Sequence, residues 1–519
     1  MGTMDSQDSW QLHAADTIRD GGLINNTYAV ITLCKNAPRA VQELVSWGAR
    51  FHRENNGKIS QRFFGAATYR RACFIGDHTG QEILNTLADQ VEKRKIPFLS
   101  EVYIFSLLQS NGVVHGALGL DVKHGTFVAV QAKIVVLATG GHSRMFARSS
   151  SRFWENNGDG IALACDCGAR FMDMELFQFH PTGMLYPEKA SGILVTEAVR
   201  GEGGILLNAK GERFMQRYDP ERLELSARDV VARAVYREVQ AGRGTKHGGV
   251  WLDITHKPKE HILQRLPKMY AQFQHFLGID ISKEHMEVGP TAHYSMGGVW
   301  VDHRTGATSV KNLYAIGEVT AGVHGANRLG GNSLAEILVF GRLTGATIAR
   351  RVKKIKHIPL NTLALATQIA KFKTKLQVRK GKNPLLVKKE LMQMMWDHTG
   401  VVREGKNMEK ALRLLERFKA TPIKITGSLC MNEQLIAALD LRNMLSTCEM
   451  ILKSALYRTE SRGAHYRSDY PKTIAKWKKN VYCEPTKQGM TLFTKPVQKI
   501  PAPIQRLIAQ KQPATHLLE

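Results

Sequence analysis

Two histidines, several arginines and one glutamate stand out because glycine or proline flanks them, so loops and not packed helix faces present them. Gln178-Phe179-His180-Pro181-Thr182-Gly183 places an imidazole directly before a proline, which disfavours the helical conformation there and leaves an extended or turn geometry. Thr196-Glu197-Ala198-Val199-Arg200-Gly201-Glu202-Gly203-Gly204 sets a carboxylate and a guanidinium three residues apart ahead of a glycine cluster. His293-Tyr294-Ser295-Met296-Gly297-Gly298 supplies a second imidazole, and Gly325-Ala326-Asn327-Arg328-Leu329-Gly330-Gly331-Asn332-Ser333 an arginine just ahead of a helix start. Arg228 stands beside Asp229 at the beginning of another helical stretch. No nucleophile triad and no cluster with metal-ligand spacing accompanies them. A cationic, loop-borne set of this kind suits a small dianion such as a dicarboxylate, because guanidinium forks match carboxylates bidentately. Each residue alone also has a plainer reading: structural histidines, a local Glu197–Arg200 ion pair, exposed or capping arginines, and glycines that only turn the chain.

The elements that must position these residues follow from periodicity. Helical spacing over Trp10–Arg19, with an N-cap at Ser6 or Asp8, and over Tyr28–Trp47 opens the chain. The period then changes to two: Val102–Leu108, Val113–Asp121 and Phe127–Gln131 are separated by turns at Asn111-Gly112 and His124-Gly125. The apolar run Ile134–Ala138 reads as a buried strand ending in Thr139-Gly140-Gly141. A polar loop, Glu155–Gly160, leads into a helix at Ile161–Ala169, and an amphipathic helix is expected over Ala227–Ala241. A second buried strand, Leu313–Ile316, ends at Gly317-Glu318 and feeds a glycine-rich loop and a helix from Asn332-Ser333 to Arg350. Beyond residue 351 the pattern is helical, broken at Pro359, Pro384 and Pro422, and from about residue 485 the proline-rich end reads as an extended tail. No internal repeat is evident.

Composition is that of an ordinary globular chain, 43% hydrophobic and 23% charged, but 72 Lys+Arg against 46 Asp+Glu leaves a net charge of +26. Residues 1–350 hold 39 basic and 34 acidic side chains (+5) and residues 351–519 hold 33 and 12 (+21), so the excess belongs to the last third. No nucleic-acid-binding motif accompanies it, which favours solvated helix faces or docking to an acidic partner or lipid surface over nucleic acid. Seven scattered cysteines, with Cys165 and Cys167 at the wrong spacing for a zinc knuckle, fit a reducing compartment. No apolar run of about 18 residues and no signal pattern is present.

The glycine-flanked segments Gln178–Gly183, Thr196–Gly204, Arg228–Arg233, His293–Gly298, Gly317-Glu318 and Gly325–Leu334, in this order, make the chain resemble the flavoprotein subunit of succinate dehydrogenase and fumarate reductase, from Gly2 to His465. L-aspartate oxidase shares several of them, but Leu329-Gly330-Gly331 and Gly183 look more like the dicarboxylate redox enzymes. The resemblance implies an α/β multidomain fold: a Rossmann-like FAD-binding domain (1–175 and 292–352), an inserted capping domain (176–291), a helical domain (353–460) and a basic C-terminal segment (461–519). It implies that His180, Thr196, His293 and Arg328 hold the carboxylates of succinate or fumarate, and that Arg228 transfers a proton relayed through Glu197 and Arg200. An arginine with a pKa above about 12 is a poor acid at neutral pH, so that role requires the relay. For FAD it implies contacts from Thr139, Gly140, Gly141, Asp159, Glu318 and the helix start Asn332-Ser333-Leu334. It implies an iron–sulfur subunit and a quinone-binding membrane anchor as partners, no nucleic acid, no metal site in this chain, and a peripheral place on the cytoplasmic or matrix face of a membrane. The family opens with a strand, a GxGxxG turn and a helix that have no counterpart here, roughly sixty residues or two βαβ-type elements. The expectation is therefore a longer natural chain or, alternatively, a truncated, FAD-deficient, inactive homologue.

Overall fold

The computed structural model describes residues 5, 7–376, 378–486 and 489–510. The two apolar runs pair as a short parallel sheet, Val135–Leu137 beside Leu313–Ala315, and each strand leaves through a glycine turn. Gly140 and Gly317 both have positive φ, +71° and +73°, the left-handed region that glycine enters without a Cβ clash. An antiparallel meander, Val102–Ser110, Val113–Asp121 and Thr126–Gln131, lies beside this sheet and follows the period-two reading. Helix Asn332–Arg351 packs its Ala335, Val339 and Phe340 face onto Leu33, Ala37, Val41 and Leu44 of helix Thr27–Ser46. Each buried Val, Leu or Phe side chain among them contributes about 1.5–3 kcal/mol. The N-cap of helix Trp10–Asp20 is Ser9, whose side chain accepts from the Leu12 amide; Asp8 instead pairs with Arg71, and Ser6 lies outside the described residues.

A second antiparallel sheet runs in the order Phe177–Met184, Met286–Ser295, Val250–Asp253, Ile205–Leu207. Helix Arg228–Glu238 covers it, and a core of its own forms around Val199, Leu206, Val231, Leu252 and Phe273. The pairing of the two long strands shifts register between Gly289 and Thr291 and again between Ala292 and Tyr294. Such bulges bend a strand and re-aim the side chains on either side, and here the second falls at His293.

Helices Pro384–Thr399, Gly405–Ala420 and Glu433–Tyr457 form a bundle continuous with the main core. Pro384 starts its helix, where the missing N–H has no intrahelical partner to lose. The expected extended tail is instead a hairpin and a helix. Lys479–Thr486 and Gly489–Pro496 pair antiparallel, and the first strand also pairs with Phe171–Met172, which pairs with Gly298–Val299. Helix Ala502–Ala509 then packs Ile504 against Ala14, Ile18 and Val30. The prolines are compatible with this because Pro485 and Pro496 lie near strand ends and Pro503 at a helix start.

Candidate functional site

His180 and His293 occupy the two long neighbouring strands, and the bulged register brings their rings to 5.3 Å between centroids at 72°. The His180 Nδ1 is engaged locally, 3.2 Å from the Thr182 amide and 3.1 Å from its carbonyl, and the His293 Nδ1 lies 2.9 Å from the Ser150 hydroxyl. Neither Nε2 has a partner among the described residues, so both remain available to a ligand. Burial, then Arg228 for His180 and Arg328 for His293, lowers both rings well below the usual range, so both are neutral at pH 7.

Arg228, at the start of helix Arg228–Glu238, is gripped from two directions. Its Nε and Nη2 donate to Oε2 of Glu197 at 2.8 and 2.5 Å, and its Nη1 donates to Oε1 of Gln178 at 3.1 Å. The other Glu197 oxygen accepts from the Gly65 amide at 2.6 Å. Burial opposes ionisation of Glu197, but Arg228 and Arg200 outweigh it and hold the carboxyl down to about 2. Arg200 shares this field without a hydrogen bond to Glu197: its Nη1 donates to the Glu224 carbonyl, and its Nε and Nη2 are buried without a partner. The Thr196 hydroxyl, next to Glu197, accepts from the Ala198 amide at 3.3 Å.

A chain of amides links Arg228 to two carboxylates. Gln178 Nε2 donates to Oδ1 of Asn327 at 2.7 Å and to the Arg328 carbonyl at 2.9 Å, while Asn327 Nδ2 donates to Asp20 at 3.1 Å and Asp229 at 2.9 Å. The carboxylates accept only from an NH₂, so they orient Asn327, which orients Gln178 and turns an acceptor oxygen toward Arg228. Burial and the nearby Asp229 raise Asp20 to about 7. A raised carboxyl makes its folding contribution in its protonated form and loses it as pH rises from the unfolded value near 4 to about 7. Asp20→Asn is therefore expected to gain melting temperature relative to the parent between pH 4 and 7 and then level off. A difference that stays flat over pH 4–8 in thermal melts would show that Asp20 titrates normally.

Arg328 completes the cluster from the loop before helix Asn332–Arg351. It donates to the Ser333 hydroxyl at 3.2 Å, stacks 4.4 Å from the Tyr294 ring centroid, and has a buried Nε without a partner. Burial and then Arg228 lower its guanidinium to about 10. The loop is clasped from both sides: a Cβ on Gly463 (φ +53°) would lie 2.5 Å from the Ala326 carbonyl, and one on Gly325 (φ +59°) 2.4 Å from the Gly21 carbonyl. Gly463→Ala is accordingly expected to displace the loop that carries Arg328 and to cost about 1–3 kcal/mol, read as a lower denaturant midpoint. An unchanged midpoint would exclude the clasp.

Beside this cluster the glycine turns of the parallel sheet meet Glu318. Its Oε1 accepts from the Ser295 amide and hydroxyl at 3.0 Å each, and burial raises the carboxyl to about 7. No described residue engages Oε2, which suits a sugar hydroxyl. A Cβ on Gly141 would lie 2.2 Å from Glu318 Oε1, so a larger residue there would push the Glu318 carboxylate off Ser295. Helix Asn332–Arg351 begins after Gly331 with no side-chain cap, leaving amides at a positive dipole end for an electron-rich ring. The residues present thus fit a flavin nucleotide. Two expected contacts point elsewhere: the Asn332 side chain bonds His13 and Thr17, and Asp159 accepts from Tyr103 and Asn443. Thr139 packs on Gly160, where a Cβ would meet its hydroxyl at 2.0 Å, and Leu334 packs into the core between the helices Asn332–Arg351 and Thr27–Ser46. No group of metal-ligating side chains occurs among the described residues.

Gln178 and Asn327 lie inside segments legible as motifs, whereas Gly65, Ser150 and Asp20 carry no local signal and reach the site only through folding.

Known proteins place this architecture. Residues 1–334 match the FAD binding domain family and residues 388–508 the fumarate reductase flavoprotein C-terminal family. The chain is 45% identical over 483 residues to one of the subunits of the fumarate reductase (CoM/CoB) of Methanothermobacter marburgensis, covering 92% of this chain and 87% of that one. It is 37% identical over 491 residues to the succinate dehydrogenase flavoprotein subunit of Rickettsia bellii, covering 89% and 81%. Among solved structures, FrdA of E. coli quinol fumarate reductase matches with a TM-score of 0.91 at 31% identity over 97% of this chain and 89% of that one. The Mycobacterium smegmatis Sdh1 complex in the apo form matches with a TM-score of 0.86 at 39% identity over 99% and 89%. With the paired histidines, the guanidinium cluster and the glycine turns beside Glu318 in one chain, these matches identify it as a member of the succinate dehydrogenase and fumarate reductase flavoprotein-subunit family, an oxidoreductase whose cofactor is FAD.

Proposed function

We propose that this chain interconverts succinate and fumarate. The observation that carries the reading is the convergence of Arg228, Arg328 and the free Nε2 atoms of His180 and His293 around one buried site. Arg328, His180, His293 and Thr196 hold the two carboxylates, so that the carbon–carbon bond is fixed before reaction. With both rings neutral, Arg228, Arg328 and Arg200 provide the positive field for charge that develops in the transition state. Arg228 exchanges a proton at one methylene carbon, and Glu197, bonded to two of its nitrogens, replaces that proton in step; Arg200 tunes Glu197 through space. FAD, when bound, exchanges hydride with the neighbouring carbon. Glu318, the Thr139–Gly141 turn, the helix start Asn332–Leu334 and the backbone around Asp159 hold it. On this reading the FAD-binding unit takes residues 1–175 and 292–352, the capping unit 176–291 and the helical unit 353–460, and residues 479–509 pack back on the first through Phe171–Met172 and helix Trp10–Asp20.

Succinate, fumarate and aspartate offered to the flavin-loaded protein with an artificial electron acceptor or donor test the reading. Turnover with the first two supports it, and turnover with aspartate alone would reassign the chain to L-aspartate oxidase. A flavin spectrum before and after acid precipitation tests the FAD-deficient alternative, which predicts no yellow colour.

In the cell the electrons pass to an iron–sulfur subunit and through it to quinone at a membrane anchor, with this chain peripheral on the membrane face. The similarity to the Methanothermobacter marburgensis relative makes the CoM/CoB pair the second candidate for electron exchange, and assays of the assembled complex with each separate them. Among the described residues no helix is long and apolar enough to cross a membrane. Between Glu336 and Glu390 the chain has no acidic residue and fourteen Lys+Arg, most of those described being exposed. An acidic face on the partner complements it. Raising salt from about 0.1 M to about 1 M shortens the screening length from about 10 Å to about 3 Å, so the complex is expected to dissociate on a sizing column; salt-insensitive assembly would contradict this contact.

A further inference from the structure

A crevice of about 590 Å³, lined by none of the residues of the histidine–arginine cluster, lies where three parts of the chain meet. Arg144, Arg148 and Phe153 line it from the segment after the glycine turn, Glu188 and Lys189 from the loop following strand Phe177–Met184, and Lys389 from helix Pro384–Thr399. Its charged lining is four cations and one carboxylate, a net +3.

The two arginines are arranged for a ligand that the protein does not itself supply. Arg144 lies 5.7 Å from the Phe153 ring centroid and Arg148 5.4 Å from that of Trp396, so aromatic faces set the planes of both guanidiniums. Arg144 makes one hydrogen bond, to the Ser151 carbonyl at 3.3 Å, and its Nε is buried without a partner. Among the described residues the Arg148 guanidinium makes no hydrogen bond and feels Glu287 only through space, and none of the four cations forms an ion pair with a carboxylate. Gathering like charges in a partly desolvated concavity opposes folding unless an anion offsets it. Guanidiniums already held in plane lose little freedom when they bind one.

We propose that this crevice is an anion-binding site, separate from the catalytic cluster, for a small di- or trianion bearing carboxylate or phosphate oxygens. Such an anion bridges the arginines to Lys189 and Lys389 and so ties the covering sheet to the helical bundle. It also reaches the catalytic histidine. Arg148 and Ser150 bracket Ala292 through backbone hydrogen bonds of 2.9 Å each, and the Ser150 hydroxyl holds His293 Nδ1. On the succinate–fumarate reading, occupancy is therefore felt as a change in KM.

The test is binding without turnover. Inorganic phosphate is titrated into the full chain by calorimetry at constant ionic strength with chloride, for the parent and for Arg148→Gln and Lys389→Gln. Phosphate is expected to bind and to raise the melting temperature more than chloride does. Each substitution, on a different element, should weaken it at least about tenfold, the effect of losing one charge-assisted hydrogen bond. Succinate titrated into Arg328→Gln with and without Arg148→Gln distinguishes a dicarboxylate ligand from phosphate, since only the binding lost with Arg148 belongs to the crevice. Phosphate and succinate both indistinguishable from chloride, or affinities unchanged in both crevice variants, would overturn the proposal. Neither arm requires redox turnover, so failure here is separable from failure of the enzymatic reading.

Discussion

Arg228→Lys is expected to lower succinate–fumarate turnover by about three orders of magnitude, within the range that a positioned general acid supplies, while changing dicarboxylate affinity only a few-fold. The argument is geometric. Glu197 takes two nitrogens of the Arg228 fork and Gln178 a third, so the guanidinium is fixed in plane and in rotation. Lysine keeps the charge, and with it much of the attraction for a carboxylate, but its single nitrogen cannot hold both partners and face a substrate carbon. Arg328 and the histidines remain to bind the substrate. Single-turnover rates and equilibrium dialysis with succinate measure the two quantities separately. A variant that keeps a tenth of the parental rate, or an active Arg228→Ala, would remove Arg228 from proton transfer.

The second large effect concerns stability. Arg458 is wholly buried and donates to Glu175 at 2.6 Å, to Glu460 at 3.1 Å and to the carbonyls of Trp477 and Lys479, with Asp173 at 3.5 Å. Burial works against its charge, and Glu175 and Asp173 more than restore it. It thereby joins the end of the long helix Glu433–Tyr457 to the C-terminal hairpin and to the segment before strand Phe177–Met184. Arg458→Ala removes one cation and leaves three buried carboxylates, a change that costs about 3–5 kcal/mol when a buried pair is broken. Burial and Glu175 already raise Asp173 to about 7, and loss of Arg458 raises it further. A raised carboxyl is stabilising only while protonated, so the deficit should be larger at pH 8 than at pH 5. Denaturant midpoints at the two pH values check this. A loss below about 1 kcal/mol, the scale of exposed ion pairs, would mean that the network contributes no more than a surface bridge.

Much of the site was legible before folding because backbone constraints are local. His180 precedes a proline, Arg328 precedes two glycines and a helix start, and the parallel strands read as apolar runs that end in glycine. Those features restrict φ and ψ wherever they occur: they announced the loop that carries Arg328, while His180, kept out of a helix by its proline, lies in a strand and not in the expected loop. The hairpin at 479–496 was not legible in this way. Asn480, Val481 and Cys483 are the buried residues of its first strand, so polar Asn480 and the prolines mask the alternation, and its partner strand at Phe171–Met172 lies about three hundred residues earlier.

The sequence by itself determined which chemistry was available: guanidinium and imidazole groups near glycines, two strand–turn units suited to a nucleotide, and a positive charge gathered in the last third; the expected loops proved to be strands for His180 and His293 and helices for Arg200 and Arg228. Tertiary structure alone decided how those groups are charged and paired. His180 and His293 are neutral because burial and neighbouring arginines disfavour protonation, so the field at the site comes from guanidiniums. Glu197 meets Arg228 and not its sequence neighbour Arg200, and Gly65, Ser150, Asp20 and Asn327 complete the contacts from distant positions. Hydrogen bonds act over about 3 Å and desolvation depends on everything packed around a group, and neither quantity exists until the chain has folded.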